Sequence, residues 1–228
     1  PIQNLPIGYH VSWALLILPF MDETNIYNHW DFDVSVYDDK NRAARLQRIE
    51  SYICPSAPAT NAWSMSYAGC YNDIEAPIDF DNNGVLFLDS SIRYEQITDG
   101  SSHTIFAGEK LADDTVMIPE ALINQAGLDG WAAGTRATLR NASSINNAGQ
   151  GLPGMGAFPG QPVPLQPEEA NLDPLFVGGF ASYHAGGAFF LYGDGHVGFV
   201  SENIALPELK RLANRADGEL PDPETADF

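Results

Sequence analysis

The sequence GAFFLYGDGHVGFVS, residues 187–201, decides the fold class. Two mainly apolar runs, Gly187–Tyr192 and His196–Ser201, flank the short sequence Gly193–Gly195. The Asp-Gly pair at its centre is typical of tight hairpin turns, which need a residue with positive φ. The stretch therefore predicts an antiparallel β-hairpin.

Segments on both sides of this hairpin add further elements. A helix is predicted from Leu206 to Ala216, because Pro207 suits a first helical turn and Gly218 lies just beyond the end. Short apolar runs after turn sequences predict strands at Val85–Leu88 and Thr104–Ala107.

The N-terminal third is predicted to be helical. Residues His10–Trp30 are too continuously apolar for a surface helix, so we expect an element buried on most sides and kinked at Pro19. Helical spacing of apolar residues predicts a second helix at Asn41–Ser51. The fold class that follows is α+β, with an N-terminal helix packed on an antiparallel β-sheet.

The chain length fits a single globular domain, residues 1–228. Residues 126–174 are rich in Gly, Pro, Asn and Ser and predict a large, irregular loop insertion. The acidic tail, residues 219–228, is expected to be loose. No stretch reaches the roughly 20 apolar residues that span a bilayer, and no signal peptide is visible.

The charge balance restricts the partners. The chain has 30 acidic residues against 11 Lys and Arg, and its net charge is −19. This field repels nucleic acid and anionic lipid headgroups. Divalent cations or a basic partner are the natural counterparts, although an acidic surface also simply keeps an exported protein soluble.

The chain has two cysteines, Cys54 and Cys70, both in loop-like sequence. We predict one disulfide between them, which implies an oxidising compartment. The alternative is two unrelated buried thiols. A zinc site is not expected, because neither cysteine belongs to a C-x-x-C pair or has a histidine nearby in the sequence.

Four segments, in order, resemble the motifs of one protein family. They are Ser12–Phe20 with Asn25–Asn28, Tyr52–Ser56, Ile97–Ile105 with Gly108–Lys110, and His184–Gly195. The second contains Cys-Pro-Ser, and the third is similar to an ITDG(T/S)SNTI…GE signature, with His103 where Asn is usual. The fourth has His, nine residues, then Asp-Gly. These motifs are similar to those of planctomycete prepilin-like proteins with an H-x(9)-D-G processing-associated element.

The resemblance implies a structural role. Members of the family that it resembles are similar to type IV pilins and type II secretion pseudopilins. We therefore expect this chain to be a subunit of an extracellular filament or cell-surface assembly. The expected partners are copies of the chain or other pilin-like subunits. A prepilin cleavage site and a hydrophobic anchor helix, which would be the membrane contact, are expected upstream of Pro1.

The sequence Asp79-Phe-Asp81-Asn-Asn83-Gly84 is similar to the first half of a calcium-binding EF-hand loop. Ser90 stands where the bidentate Glu is needed, and Asp89 beside it is the candidate substitute. We therefore name Asp79, Asp81, Asn83 and Asp89 as candidate calcium ligands. A polar turn before a strand explains the same residues without a metal.

The motif residues His184 and Asp194 have a structural and a chemical interpretation. In the first, His184 hydrogen-bonds a turn or strand end, Asp194-Gly195 forms the hairpin turn, and Asp99 before Gly100 satisfies backbone N–H groups. In the second, His184 and Asp194 act as base and orienter, with Glu109, or share a metal with His196. No nucleophile motif is present, so we expect no enzyme and no catalytic residue.

A second hypothesis for function is a surface-anchored protein that binds glycans or another solute. The long insertion and nearby aromatic residues Trp63, Tyr67, Tyr71 and Trp131 favour it. Core packing explains the same aromatic residues.

Overall fold

The structure is a computed structural model that describes residues 1–58, 60–112, 130–147 and 174–219. Within these residues the fold is α+β, as predicted. The strands are β1 (Tyr67–Asn72), β2 (Ile105–Glu109), β3 (Leu139–Asn147), β4 (Gly179–Ser182), β5 (Gly187–Tyr192) and β6 (Val197–Ser201). The α-helices are α1 (Trp13–Ile17), α2 (Thr24–Asn28), α3 (Arg42–Arg45) and α4 (Leu206–Ala213). Single 3₁₀ turns lie at Leu18–Phe20, Asp39–Asn41, Glu50–Tyr52, Tyr94–Gln96 and Ser101–His103.

The sheet is mixed, and the expectation of an antiparallel sheet is only partly met. Its strand order is β4-β3-β1-β2-β5-β6. The pairs β1–β2, β2–β5 and β5–β6 are antiparallel, whereas β1–β3 and β3–β4 are parallel. Parallel neighbours need a long crossover connection, and the sequence has 31 residues between the end of β3 and the start of β4.

Strand β3 lies inside the segment predicted to be a loop insertion. Its sequence, LRNASSINN, is mostly polar, so it lacks the apolar pattern of a buried strand. The strand is nevertheless internal because its polar side chains have partners. Asn141 is fully buried and donates to the Tyr71 hydroxyl at 3.0 Å and to Glu75 at 2.7 Å. Residues 126–129 and 148–173 of that segment, and the tail from residue 220, lie outside the described residues.

The predicted helices are shorter in the structure. The expected helix His10–Trp30 divides into α1 and α2, because a 3₁₀ turn with Pro19 ends the first and Asp22 adopts a φ of +60°. The expected helix Asn41–Ser51 is reduced to α3 between two 3₁₀ turns. No helix in the described part of the chain is long and apolar enough to cross a membrane.

The strands predicted near the centre and C-terminus have different outcomes. The hairpin forms as predicted between β5 and β6, and Gly195 at its turn has a φ of +93°. The Thr104–Ala107 prediction corresponds to β2. Val85–Leu88 is not a strand. The backbone N–H groups of Val85 and Leu86 both donate to the Cys70 carbonyl, so this loop packs on β1 without extending a ladder.

Each face of the sheet has its own cover. Ala68 and Cys70 of β1 share a core with Leu209 and Leu212 of α4. Gly69, between them, faces the opposite side, where a Cβ would meet the Trp13 ring. The N-terminal helices and loops cover that second face, around a core that includes Leu15, Leu18, Ile49, Tyr52 and Trp131.

Candidate functional site

Three segments that carry family motifs meet at one point on the face covered by the N-terminal layer. One ligand-type atom from each of Cys54, Glu109 and His184 lies within 4.8 Å of the other two. The Cys54 Sγ is 3.5 Å from the His184 Nε2, which is 3.2 Å from the Glu109 Oε1. Among the described residues, this is the one cluster of three or more His, Cys, Asp or Glu side chains close enough to share an ion.

The fold places each of these residues on a different element. Cys54 follows the 3₁₀ turn Glu50–Tyr52, Glu109 ends β2, and His184 lies in the turn between β4 and β5. In the β1–β2 ladder, Glu109 is directly opposite Tyr67. Because opposite residues in a ladder share a face, Glu109 points away from α4 and toward the layer that carries Cys54.

Glu109 is held in one orientation. Its side chain is 5% exposed, and its Oε2 accepts hydrogen bonds from the Ser182 hydroxyl at 2.8 Å and the Phe189 N–H at 2.9 Å. Its Oε1 therefore remains for His184. Two donors on one oxygen supply the hydrogen bonds that a buried carboxylate requires.

His184 is fixed from two sides but is partly open to solvent. Its backbone N–H donates to the Ser182 hydroxyl at 3.0 Å, and its ring packs edge-on against Phe189 at 5.2 Å between centroids. Its side chain is 31% exposed. The predicted hydrogen bond from this side chain to a turn or strand end is replaced by the contacts with Glu109 and Cys54.

The geometry argues against a nucleophile–base–acid relay. In such a relay the histidine uses one ring nitrogen for the nucleophile and the other for the acid. Here both Cys54 and Glu109 face the same nitrogen, Nε2. The three atoms converge on one point and do not form a chain.

Tyr67 adjoins the same cluster. Burial is the main reason that its pKa is raised, and its proximity to Cys54 and Glu109 adds to the effect. Tyr67 therefore remains a neutral phenol beside the cluster.

The predicted disulfide is wrong, because both cysteines are free. Cys54 lies beside Glu109 on one side of the sheet, whereas Cys70 packs toward α4 on the other, with its Sγ 4.0 Å from the Ala213 carbonyl. Burial raises the pKa of Cys70 to about 12, so this thiol is neutral. Neither cysteine has a histidine nearby in the sequence, but the fold brings His184, which is 130 residues away, into contact with Cys54.

The His184–Asp194 pairing is also wrong. Strand β5 separates the two residues by roughly 20 Å, since a strand rises about 3.3 Å per residue. Asp194 instead contacts the His196 ring at 2.6 Å and its backbone N–H at 3.0 Å. His184, Asp194 and His196 therefore do not share a metal. Asp194 and Gly195 form the hairpin turn, as the structural interpretation predicts.

Asp99 has a structural position. It is 7% exposed, and its carboxylate accepts hydrogen bonds from the N–H groups of Asp217 and Gly218 at 2.7 and 2.9 Å. It thus fixes the chain that follows α4. Gly100 next to it has a φ of +93°, a conformation that favours glycine.

The candidate calcium ligands lie in a loop that is rich in internal hydrogen bonds. The Asp79 carboxylate accepts from the Phe80 N–H at 2.9 Å, and the Asn83 side-chain oxygen accepts from the Asp73 N–H at 3.0 Å. Asp81 and Asp89 are exposed. Calcium binding at these residues stays a prediction.

The aromatic residues considered for glycan stacking are mostly core residues. Tyr71 and Trp131 are fully buried, so their ring faces are not available to a sugar. Trp63 and Tyr67 are partly buried and pack against the N-terminal core.

Comparison with known proteins gives a family but no characterised relative. No curated protein and no solved structure matches the chain. One family model, described as "protein of unknown function (DUF1559)", matches residues 3–206. This range includes Cys54, Glu109, His184 and all six strands. The chain therefore belongs to the DUF1559 family of proteins of unknown function.

Proposed function

We propose that this protein is a structural, non-enzymatic subunit of a pilin-like or pseudopilin-like assembly on the cell surface. Membership of the DUF1559 family is compatible with a pilin-like surface protein. The observation that carries the proposal is an exposed apolar surface on the β5–β6 hairpin, at the edge of the sheet. It is called the hairpin face below and consists of Phe189, Leu191, Val197 and Phe199.

The hairpin face is formed by two cross-strand pairs. Phe189 lies opposite Phe199, and Leu191 lies opposite Val197. Their exposed fractions are 40%, 37%, 40% and 62%, respectively. The alternate residues of β5 face α4 and are buried. The hairpin is thus apolar on both sides, whereas a strand that faces water usually has polar residues on its outer side.

Strand β6 adds a second feature that suits subunit contacts. It is the last strand in the sheet order, so one edge of its backbone has no neighbouring strand among the described residues. Soluble proteins usually protect such edges with charged residues, prolines or bulges. Here the edge adjoins contiguous apolar side chains, a combination that marks an interaction surface.

A second copy of the chain, or another pilin-like subunit, is the partner that we propose for this surface. The hairpin face contains no charged residue, although the chain as a whole has a net charge of −19. Contact through this surface therefore brings no like charges directly together, and solvent screens the acidic side chains elsewhere on the two copies.

The test is electron microscopy and sedimentation of the protein taken from the cell surface, for the wild type and two variants. Val197→Glu introduces a charge into the hairpin face. Leu206→Glu is the matched control, because Leu206 is also exposed, at 45%, but lies at the start of α4 outside the hairpin face. We expect regular assemblies for the wild type and for Leu206→Glu, and dispersed particles for Val197→Glu.

Two results would contradict the proposal. One is a wild-type protein that stays monomeric at every concentration. The other is immunogold labelling that finds the protein inside the cell and not at its surface.

A further inference from the structure

We infer that Cys54, Glu109 and His184 form a binding site for one zinc ion. The site does not depend on the proposed assembly, because all three residues belong to one chain. The inference rests on the types of the three ligands, the distances between their atoms, and the hydrogen bonds that orient them.

The ligand types favour zinc. Thiolate, imidazole and carboxylate are the groups that bind zinc in proteins. The thiolate disfavours calcium and magnesium, which prefer a shell made of oxygen atoms. A divalent ion also balances the charges of the buried Glu109 carboxylate and of the thiolate that Cys54 forms on binding.

Two of the three distances between the ligand atoms fit tetrahedral coordination. With zinc bonds of about 2.3 Å to sulfur and about 2.0 Å to nitrogen and oxygen, a tetrahedral angle places the S and N ligands about 3.5 Å apart and the N and O ligands about 3.3 Å apart. The observed distances are 3.5 Å from the Cys54 Sγ to the His184 Nε2 and 3.2 Å from that nitrogen to the Glu109 Oε1. The Cys54 Sγ and a Glu109 carboxylate oxygen lie within 4.8 Å of each other, and an ion bound by all three residues draws these two atoms to roughly 3.5 Å.

The surrounding hydrogen bonds orient the ligands. Ser182 and the Phe189 N–H both bind the Oε2 of Glu109, which directs Oε1 toward His184. Ser182 also accepts from the His184 backbone. Outer groups of this kind fix ligand geometry in zinc proteins and strengthen binding.

The ion has three protein ligands, and solvent supplies the fourth. His184 is 31% exposed, whereas Cys54 and Glu109 are buried, so water reaches the ion from the side of the histidine. On binding, the Cys54 thiol releases its proton to solvent and its sulfur bonds to zinc. The bound ion links the loop of Cys54 to the sheet, so it stabilises the N-terminal layer.

The experiment uses the whole chain, stripped of metal and kept in a thiol-free reductant. Zinc is titrated in competition with a chromophoric chelator, and cobalt(II) serves as a spectroscopic substitute. We expect one zinc ion per chain, a thiolate-to-cobalt charge-transfer band, and a higher midpoint of thermal unfolding with zinc than without it.

The variants identify the ligands. Cys54→Ser is expected to lose the charge-transfer band and to weaken zinc binding at least tenfold, and Glu109→Gln is expected to weaken it while keeping the band. Cys70→Ala and His196→Gln are the controls, because each removes a residue of the same type outside the site. Circular dichroism establishes that each variant is folded.

The inference is overturned if the wild type shows no zinc binding or no charge-transfer band. It is also overturned if Cys54→Ser binds as tightly as Cys70→Ala, or if zinc leaves thermal stability unchanged. Because binding is measured on dispersed chains, failure of the zinc site and failure of the assembly proposal are separate results.

Discussion

The hydroxyl group of Ser182 donates a hydrogen bond of 2.8 Å to the buried carboxylate of Glu109. The same hydroxyl oxygen accepts a hydrogen bond from the backbone N–H of His184. One side chain thus fixes two of the three clustered residues, one by its carboxylate and the other by its backbone. Ser182 is 1% exposed, so water does not easily replace it.

Replacing Ser182 by Ala is expected to destabilise the protein and weaken zinc binding. Glu109 loses one of two donors to its Oε2, and a buried charged group that loses a partner costs about 1–3 kcal/mol of unfolding free energy. Loss of an outer hydrogen bond of this kind typically lowers metal affinity about 10- to 100-fold. Urea unfolding and the chelator competition measure the two effects.

Ser201→Ala is the matched control for that variant. Ser201 lies at the exposed end of β6, and its hydroxyl accepts a hydrogen bond from the Asn203 N–H. We expect a much smaller loss of stability and unchanged zinc affinity. Equal effects of the two substitutions on zinc affinity would contradict the orienting role of Ser182.

Asp99→Ala is expected to lower the free energy of unfolding by about 2 kcal/mol or more, because two backbone N–H groups lose a charged acceptor. The affected groups are those of Asp217 and Gly218, just after α4. Thermal or urea unfolding measures the loss, and hydrogen exchange should show faster exchange at these two amides.

The control is Asp33→Ala, at an exposed acidic residue, which is expected to change the free energy of unfolding by no more than about 0.5 kcal/mol. Unchanged amide exchange in Asp99→Ala would show that the carboxylate does not hold this segment.

The hairpin and the C-terminal helix are the parts of the fold that the sequence predicts best, although the helix ends at Ala213 and not at Ala216. Both depend on contacts between residues close in the chain, such as the turn at Gly195 and the Pro at the start of α4. Strand β3 is not predicted, because the contacts that stabilise it come from residues that are distant in the sequence. Glu75 accepts from Asn141 and from the N–H groups of Val177 and Gly178, and these contacts allow a polar strand to lie inside the sheet.

The complete candidate site is not predicted for the same reason, although the sequence did associate Glu109 with His184, whose side chains are 3.2 Å apart. Each ligand occurs in a motif segment quoted from the sequence, but Cys54 and His184 are 130 residues apart. Rules for metal sites depend on short spacings such as C-x-x-C, and none applies here. The expected disulfide failed because two cysteines near in sequence face opposite sides of one sheet. The motif segments themselves were the available clue, since each supplies one member of the cluster.

Gly187→Ala is expected to be strongly destabilising. A Cβ at this position would clash with the carbonyl oxygen of Val200 on β6, so the paired backbones would have to separate. Gly186→Ala is the comparison, since its Cβ would meet nothing within 4 Å and only its φ of +87° is unfavourable. For Gly186→Ala we expect a loss of about 1–2 kcal/mol, and for Gly187→Ala a larger one. Urea unfolding measures both, and the reverse order would contradict the close pairing of β5 with β6.

The turn of the hairpin is expected to weaken in acid. The pKa of Asp194 is lowered, first by the hydrogen bond from the His196 N–H and then by the one from its ring. A lowered pKa means that the ionised carboxylate stabilises the folded state above the ordinary aspartate pKa of about 3.9, and that this contribution is lost as the pH falls through the lower folded value.

Asp194→Asn tests this pH dependence, because the amide carries no charge at any pH. The wild type is expected to be more stable than Asp194→Asn near neutral pH, and the difference should shrink as the pH falls below about 4. Urea unfolding at a series of pH values measures it. A difference that stays constant down to pH values well below 4 would show that the charge of Asp194 does not stabilise the turn.

Self-association through the hairpin face is expected to strengthen with salt. Each chain carries a net charge of −19, so two copies repel each other while their apolar surfaces attract. Raising the ionic strength from about 0.01 M to about 0.15 M shortens the screening length from about 30 Å to about 8 Å, which weakens the repulsion and leaves the apolar contact intact. Sedimentation velocity of the purified chain should therefore show more assembled protein at the higher salt concentration.

Two variants test whether the hairpin face is responsible for this salt dependence. Val197→Glu should stay dispersed at both salt concentrations, whereas Leu206→Glu should assemble like the wild type. Assembly that weakens as salt is added would instead indicate contacts between opposite charges, and the hairpin face would then not be the surface that joins the subunits.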